Sequence, residues 1–100
     1  MVGIDITSID RFKTKGDTFA KKILSKEEYS EWTISETKDI FLATRWAIKE
    51  AIFKSDNNFS NFSNINLKKI NSKYCFKEFQ ISTSRENNYI IAIALKKKDG

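Results

Sequence analysis

Two acidic residues stand where apolar ones would be expected. Asp5 interrupts the opening run Gly3-Ile4-Asp5-Ile6-Thr7, and Glu50 sits inside the alanine- and isoleucine-rich segment RWAIKEAIFK. A carboxylate carried into partial burial is unfavourable unless it is paired or bound to a metal. Two carboxylates from separate elements, with lysines nearby, make a hard-oxygen site suited to a magnesium ion and a phosphate. Each also has an ordinary reading. Glu50 pairs with Lys54 one helical turn on, and Asp5 lies exposed on an edge strand. Arg45, Lys49 and Lys54 read either as a solvated basic face of the same helix or as a clamp for a multiply charged phosphate.

The chain has no histidine and one cysteine. Nucleophile systems built on Ser-His-Asp or Cys-His are therefore excluded, and a structural zinc site lacks ligands. Catalysis has carboxylates, lysines, a metal or water to draw on. Cys75 lies between Tyr74 and Phe76, which predicts a buried thiol, and a lone cysteine fits a reducing cytoplasm. The opening apolar run is too short for a signal peptide and contains Asp5. No stretch approaches the roughly 20 apolar residues that span a bilayer.

With 100 residues the chain is expected to form one domain, residues 1–100. A chain of this size buries only about two-thirds of its unfolded surface, so self-association would help it. Its 40% hydrophobic residues, 13% aromatic, suffice for a packed core. The net charge of +5 raises the encounter rate with anionic partners: nucleic acid, membrane, a phosphorylated small molecule or an acidic protein.

The elements that must position these groups can be read from local pattern. Met1 to Thr7 reads as a strand, with Ser8 and Asp10 available to cap the next element. Thr18 to Leu24 has helical spacing at Phe19, Ile23 and Leu24. Ser25 with Glu28 forms a capping-box pattern opening a helix from Lys26 to Trp32. The longest helical signal runs from Glu36 to Lys54, with Ala43, Ala47 and Ala51 in a row that lets another element approach closely. Ser55 to Ser63 is polar and reads as a loop. Strands are expected at 65–69, 74–79 and 79–84. A tight connection at 85–88 leads into the apolar run Tyr89 to Leu95, expected as a central strand, and Lys96, Lys97 and Lys98 close the chain. The order predicts an α+β domain with an antiparallel sheet packed on a long helix.

These residues carry a family resemblance. Gly3-Ile4-Asp5-Ile6 followed by Ile9-Asp10-Arg11, the block Phe19-Ala20-Lys21-Lys22-Ile23-Leu24-Ser25 with Glu28, the run Phe41-Leu42-Ala43 through Arg45-Trp46-Ala47-Ile48-Lys49-Glu50-Ala51 to Lys54, and Ile81-Ser82-Thr83-Ser84 with Tyr89 and Ala92 together resemble the holo-acyl-carrier-protein synthases of the phosphopantetheinyl transferase family. The blocks cover nearly the whole chain in order. The resemblance implies transfer of phosphopantetheine from coenzyme A, the co-substrate, to a serine of acyl carrier protein. It implies Asp5 and Glu50 as magnesium ligands and, with Lys54, as the catalytic set. Arg45, Lys49, Lys54, Ser82, Ser84 and Arg85 are implied as coenzyme A contacts, with Arg45 serving a neighbouring subunit. Arg11, Phe19, Lys21 and Lys22 are implied to face the acidic carrier protein. A cytoplasmic homotrimer with sites between subunits is implied as well.

The chain departs from the family pattern at Ser55-Asp56-Asn57-Asn58, which replaces a glycine-rich stretch, and at Arg85, which stands where a histidine is usual. Arginine supplies a positive donor but cannot act as a base at neutral pH. Ser72-Lys73-Tyr74 replaces a Gly-Lys-Pro turn. Two rival readings are a basic nucleic-acid-binding module and an inactive relative that keeps only the carrier interaction. Phe59, Phe62, Phe76 and Phe79 alternate with polar residues as core side chains do, which argues against a base-stacking surface and favours no nucleic-acid and no membrane partner.

Overall fold

A computed structural model describes residues 1–97. Strand β1 (Val2–Ser8) passes through a 3-10 turn, Ile9–Phe12, into helices α1 (Asp17–Ile23), α2 (Lys26–Thr33) and α3 (Lys38–Ser55). A second 3-10 turn, Phe62–Asn64, leads to strands β2 (Lys68–Ile70), β3 (Lys73–Phe76), β4 (Phe79–Glu86) and β5 (Tyr89–Lys96). The sheet has the order β1-β5-β4-β3-β2, antiparallel throughout. This is the α+β architecture expected, with the long helix laid across the sheet.

The packing of α3 on the sheet rests on small residues. Ala43, Ala47 and Ala51 are fully buried, as are Ala92 and Ala94 on β5. A Cβ placed on Gly3 would lie 1.8 Å from the Ala51 carbonyl oxygen. No other residue type lets β1 touch the helix backbone there. Ser55 closes the same contact, its Oγ donating to the Met1 carbonyl at 3.0 Å. Asp5, two residues beyond Gly3 on the same strand face, is thereby brought against the last turns of α3.

The α2 capping box forms as expected: the Glu28 amide donates to Ser25 Oγ, and the Ser25 amide donates to the Glu28 carboxylate. The cap expected of Ser8 and Asp10 does not. Ser8 Oγ accepts from Asn88 instead, and Asp10 pairs with Lys13 at 2.8 Å. In the second half the burial pattern runs ahead of the strands. Ile65 and Leu67 are buried, yet pairing begins only at Lys68. The run 74–79 splits because Lys77 adopts φ of 48°, turning the chain between β3 and β4. Arg85 and Glu86 continue β4, and the turn falls on Asn87, at φ of 54°, and Asn88.

Cys75 is exposed, not buried. The alternation of β3 turns Tyr74 and Phe76 inward and Cys75 outward, so flanking aromatics mark the opposite face. β5 is an interior strand, between β1 and β4, but it alternates too. Ile90, Ala92 and Ala94 face the helix, while Ile91, Ile93 and Leu95 face outward beside Val2, Ile4 and Ile6. Among the described residues, helices cover one face of the sheet, which leaves this apolar strip exposed. Lys98 lies outside the described residues.

Candidate active site

Asp5 and Glu50 come together where β1 crosses α3. The Asp5 side chain is 13% exposed, and its Oδ1 accepts from Lys54 Nζ at 3.0 Å. Its Oδ2 is buried and has no hydrogen-bond partner among the described residues. A buried carboxylate oxygen without a donor is unfavourable in water-poor surroundings. Glu50 is half-buried, and its carboxyl is pushed above the usual glutamate range, first by burial and then by the charge of Asp5. Lys54 and Arg11 pull it the other way. The pairing of Glu50 with Lys54 allowed by their spacing is not made, because Lys54 reaches across to Asp5 and to the Ile4 carbonyl. Nor is Asp5 an exposed edge residue.

Two carboxylates repelling one another, one with an orphaned buried oxygen, are an arrangement that a cation would relieve. Magnesium fits such a pair, because it keeps several water or phosphate ligands and needs only one or two protein carboxylates. Among the described residues no third histidine, cysteine, aspartate or glutamate joins them, so a fully protein-coordinated ion does not fit. Beside Glu50 opens a cavity of about 390 Å³ lined by Lys22, Trp46, Phe53, Ser60, Asn61 and Phe62. A larger cavity of about 720 Å³ lies by Lys21, Ser25, Lys26 and Tyr29 and includes neither carboxylate. Of the two, the smaller one is lined by a member of the carboxylate pair, Glu50.

The sequence model of the 4'-phosphopantetheinyl transferase superfamily matches residues 1–94. The holo-[acyl-carrier-protein] synthase of Mycoplasma mobile is 56% identical over 98% of this chain and 90% of its own. The chain belongs to the 4'-phosphopantetheinyl transferase superfamily. The holo-ACP-synthase structure from Plasmodium yoelii is 26% identical, with a TM-score of 0.80 over 93% of this chain and 90% of its own. The holo-(acyl-carrier-protein) synthase of Bacillus anthracis, in complex with CoA (3',5'-ADP), shares the fold at 24% identity, with a TM-score of 0.80 over 93% of this chain and 91% of its own.

The other residues singled out in this transferase fall in different places. Arg11, Phe19 and Lys22 stand near the carboxylates. Arg11 donates to Thr7 Oγ1 and lies 5.7 Å from the Trp46 ring, Phe19 packs on Phe12 and Trp46, and Lys22 lines the cavity. Lys21 points away, its ammonium over Tyr29. Ser82 and Ser84 stand opposite Ile93 and Ile91 on the outward face of the sheet, across from Asp5. Arg85 is opposite Ile90, on the inward face near the end of β4, and is exposed.

Arg45 and Lys49 do not form the solvated basic face that their spacing suggests. Both are buried, at 5% and 0% exposure, because α2 brings Glu28 over this side of α3. Arg45 Nε meets Glu28 Oε2 at 3.2 Å, and its Nη1 donates to the Tyr74 hydroxyl. Lys49 Nζ donates to Glu28 Oε1 at 2.6 Å and to the carbonyls of Ile23 and Phe62. Those contacts use all three ammonium protons, so Lys49 has none left for a bound phosphate. Burial pushes its ammonium below the usual lysine value, against the pull of Glu28. The sequence pattern assigns Glu28 only to the capping box. A signal for its second role was present: Leu42, Arg45, Lys49 and Ile52 share one helical stripe, so two cations sit in a line that is apolar at both ends.

Proposed function

We propose that this transferase moves 4'-phosphopantetheine from coenzyme A to a serine hydroxyl of apo-acyl carrier protein. The observation that carries the reading is the Asp5–Glu50 pair, with its orphaned Oδ2, beside Lys54 and an open cavity. The serine oxygen forms a bond to the β-phosphorus of coenzyme A, the pyrophosphate P–O bond breaks, and adenosine 3',5'-bisphosphate leaves. Asp5 and Glu50 would hold magnesium, which when bound neutralises charge on the pyrophosphate. Lys54, half-exposed and anchored beside Asp5, is within the same cluster to stabilise the departing phosphate. Trp46, Phe53 and Phe62 give the cavity apolar walls that exclude water from an extended pantetheine arm. The hydroxyl proton passes to a carboxylate or to water, since the chain has no imidazole to take it.

The proposal includes assembly. Ser82 and Ser84 lie across the sheet from Asp5, beside the exposed strip of Ile4, Ile6, Ile91 and Ile93. Self-association through that strip, as a homotrimer, would cover it and carry Ser82 and Ser84 into the contact between copies. Light scattering at micromolar concentration should give three times the chain mass, and a monomer mass would overturn this part. The same reading makes the enzyme a cytoplasmic participant in fatty acid biosynthesis. Among the described residues no helix is long and apolar enough to cross a membrane. Phe59, Phe76 and Phe79 pack on one another, which argues against a nucleic-acid-stacking surface.

The deciding experiment incubates the protein with an apo-carrier, coenzyme A and magnesium and weighs the carrier by mass spectrometry. Gain of one phosphopantetheine is expected. An unmodified carrier, with coenzyme A and carrier both bound, would favour the inactive relative instead.

A further inference from the structure

We infer that Lys49, though adjacent to Glu50, acts as a positioning residue that holds one wall of the Glu50 cavity in register with the carboxylate. The inference rests on the transferase reading for what fills the cavity. The cavity has three walls: Trp46, Glu50 and Phe53 from α3, Lys22 from α1, and residues 60–62 from the following loop. Lys49 touches all three elements. It grows from α3, donates to the Ile23 carbonyl at the end of α1 at 2.6 Å, and donates to the Phe62 carbonyl at 3.0 Å. Its third proton goes to Glu28, which ties in the start of α2. Among the described residues this is the one hydrogen bond from α3 to the wall 60–62. The Phe62 ring also stands edge-on to Trp46 at 5.7 Å, one turn before Lys49.

A lysine ammonium is unfavourable in a fully buried position unless every proton is met. An apolar residue would fill the same volume without that requirement, but it would leave the Ile23 and Phe62 carbonyls without this donor. The Asp5–Glu50 pair is held independently, by the Gly3 and Ala51 backbones in contact. Loss of the Lys49 ammonium should therefore loosen the wall facing the coenzyme A arm and leave the cation site intact.

The test is Lys49→Met in a Trp32→Phe background, so that Trp46 is the sole tryptophan. Expected are a red shift of Trp46 emission and a loss in kcat/KM for coenzyme A of about tenfold to a hundredfold, the range for a small misplacement. The magnesium concentration for half-maximal turnover should not move. Glu28→Gln, which keeps the Lys49–Phe62 bond, is the control for lost stability alone and should leave emission and KM near wild type. Unchanged Trp46 emission in folded Lys49→Met overturns the inference, as does a Glu28→Gln variant that reproduces its full effect. If Lys49→Met does not fold, the wild type decides by nuclear magnetic resonance of its ¹⁵N-labelled lysines. Coenzyme A should shift the Lys49 ammonium signal and magnesium alone should not; a signal indifferent to coenzyme A overturns it. A wild type that modifies no carrier refutes the transferase reading, while the Trp46 emission still reports on the wall.

Discussion

Lys49 and Glu50 are neighbours on α3, yet they belong to opposite kinds of polar environment. On the Lys49 side, Glu28, Arg45 and Lys49 are buried and richly bonded: both Glu28 oxygens accept, and each cation has at least two partners. On the Glu50 side, Asp5 has an orphaned oxygen, Glu50 has its charge opposed by burial and by Asp5, and Glu50 lines an open cavity. A satisfied cluster holds a structure together, whereas an unsatisfied one is left for something that arrives. The helix period separates the two, because consecutive residues point about 100° apart.

Glu28→Ala should break the first half of the comparison. It strands Arg45 and Lys49 in the interior, and removing one partner of a buried ion pair costs about 3–5 kcal/mol. In a chain of 100 residues, at about 4–8 °C per kcal/mol, the melting temperature should fall by more than about 12 °C. Thermal unfolding followed by circular dichroism measures it, and a drop of only a few degrees would mean that the cluster adds little.

Asp5→Ala and Glu50→Ala should break the other half, with the reverse signature. Each removes a repelling carboxylate, so the melting temperature should hold or rise. Turnover should fall by about 10²–10³, the usual loss when one electrostatic stabiliser is deleted. Turnover across a range of magnesium concentrations is the measurement; wild-type activity in either variant would remove that residue from the site.

The two regions were unequally legible in the sequence. Asp5 and Glu50 stood out as acids in apolar surroundings, and the alanine row predicted a close crossing on α3. The long helix, the capping box and the apolar run of β5 also read directly, since each is a local pattern. Glu28 was hidden as a partner because its contacts lie 17 and 21 residues away, and only tertiary packing brings α2 over α3. Cys75 misled for a related reason: on a strand, an apolar neighbour in sequence is a neighbour on the other face. Ser82 and Ser84 were legible as a motif, but their face of the sheet depended on a register that no local signal sets.

A third prediction sharpens the contrast at the surface. Arg11 and Lys21 are exposed and line no wall of the Glu50 cavity. If they meet an acidic carrier, reversing both should weaken it modestly, since exposed charge contacts contribute about 0.5–1 kcal/mol each. Arg11→Glu with Lys21→Glu should loosen carrier binding about tenfold, more at low salt than at high, with coenzyme A binding weakened less, through the charge that Arg11 directs at Glu50. Separate calorimetric titrations decide, and equal losses for both ligands would assign these residues to the active-site scaffold.

The smallest effect belongs to an ion pair anchored in the stretch Ser55-Asp56-Asn57-Asn58. Asp56 Oδ2 accepts from Lys96 Nζ at 2.6 Å, and its Oδ1 accepts from the Asn58 amide, so the loop after α3 is tied to the end of β5. The Lys96 bond, then the Asn58 amide, holds the Asp56 carboxyl below the usual aspartate range. A carboxyl lowered by folding adds stability above its unfolded pKa and loses that stability as pH falls through the folded one. Asp56→Asn should therefore melt slightly below wild type at neutral pH, and the gap should close on acidification below the ordinary aspartate range. Unlike the Glu28 cluster, this pair lies near solvent, so added salt should shrink the gap as well. Melting curves at neutral and acid pH, with and without salt, test it. A gap that widens in acid would mean that Asp56 acts through the shape of its loop and not through its charge.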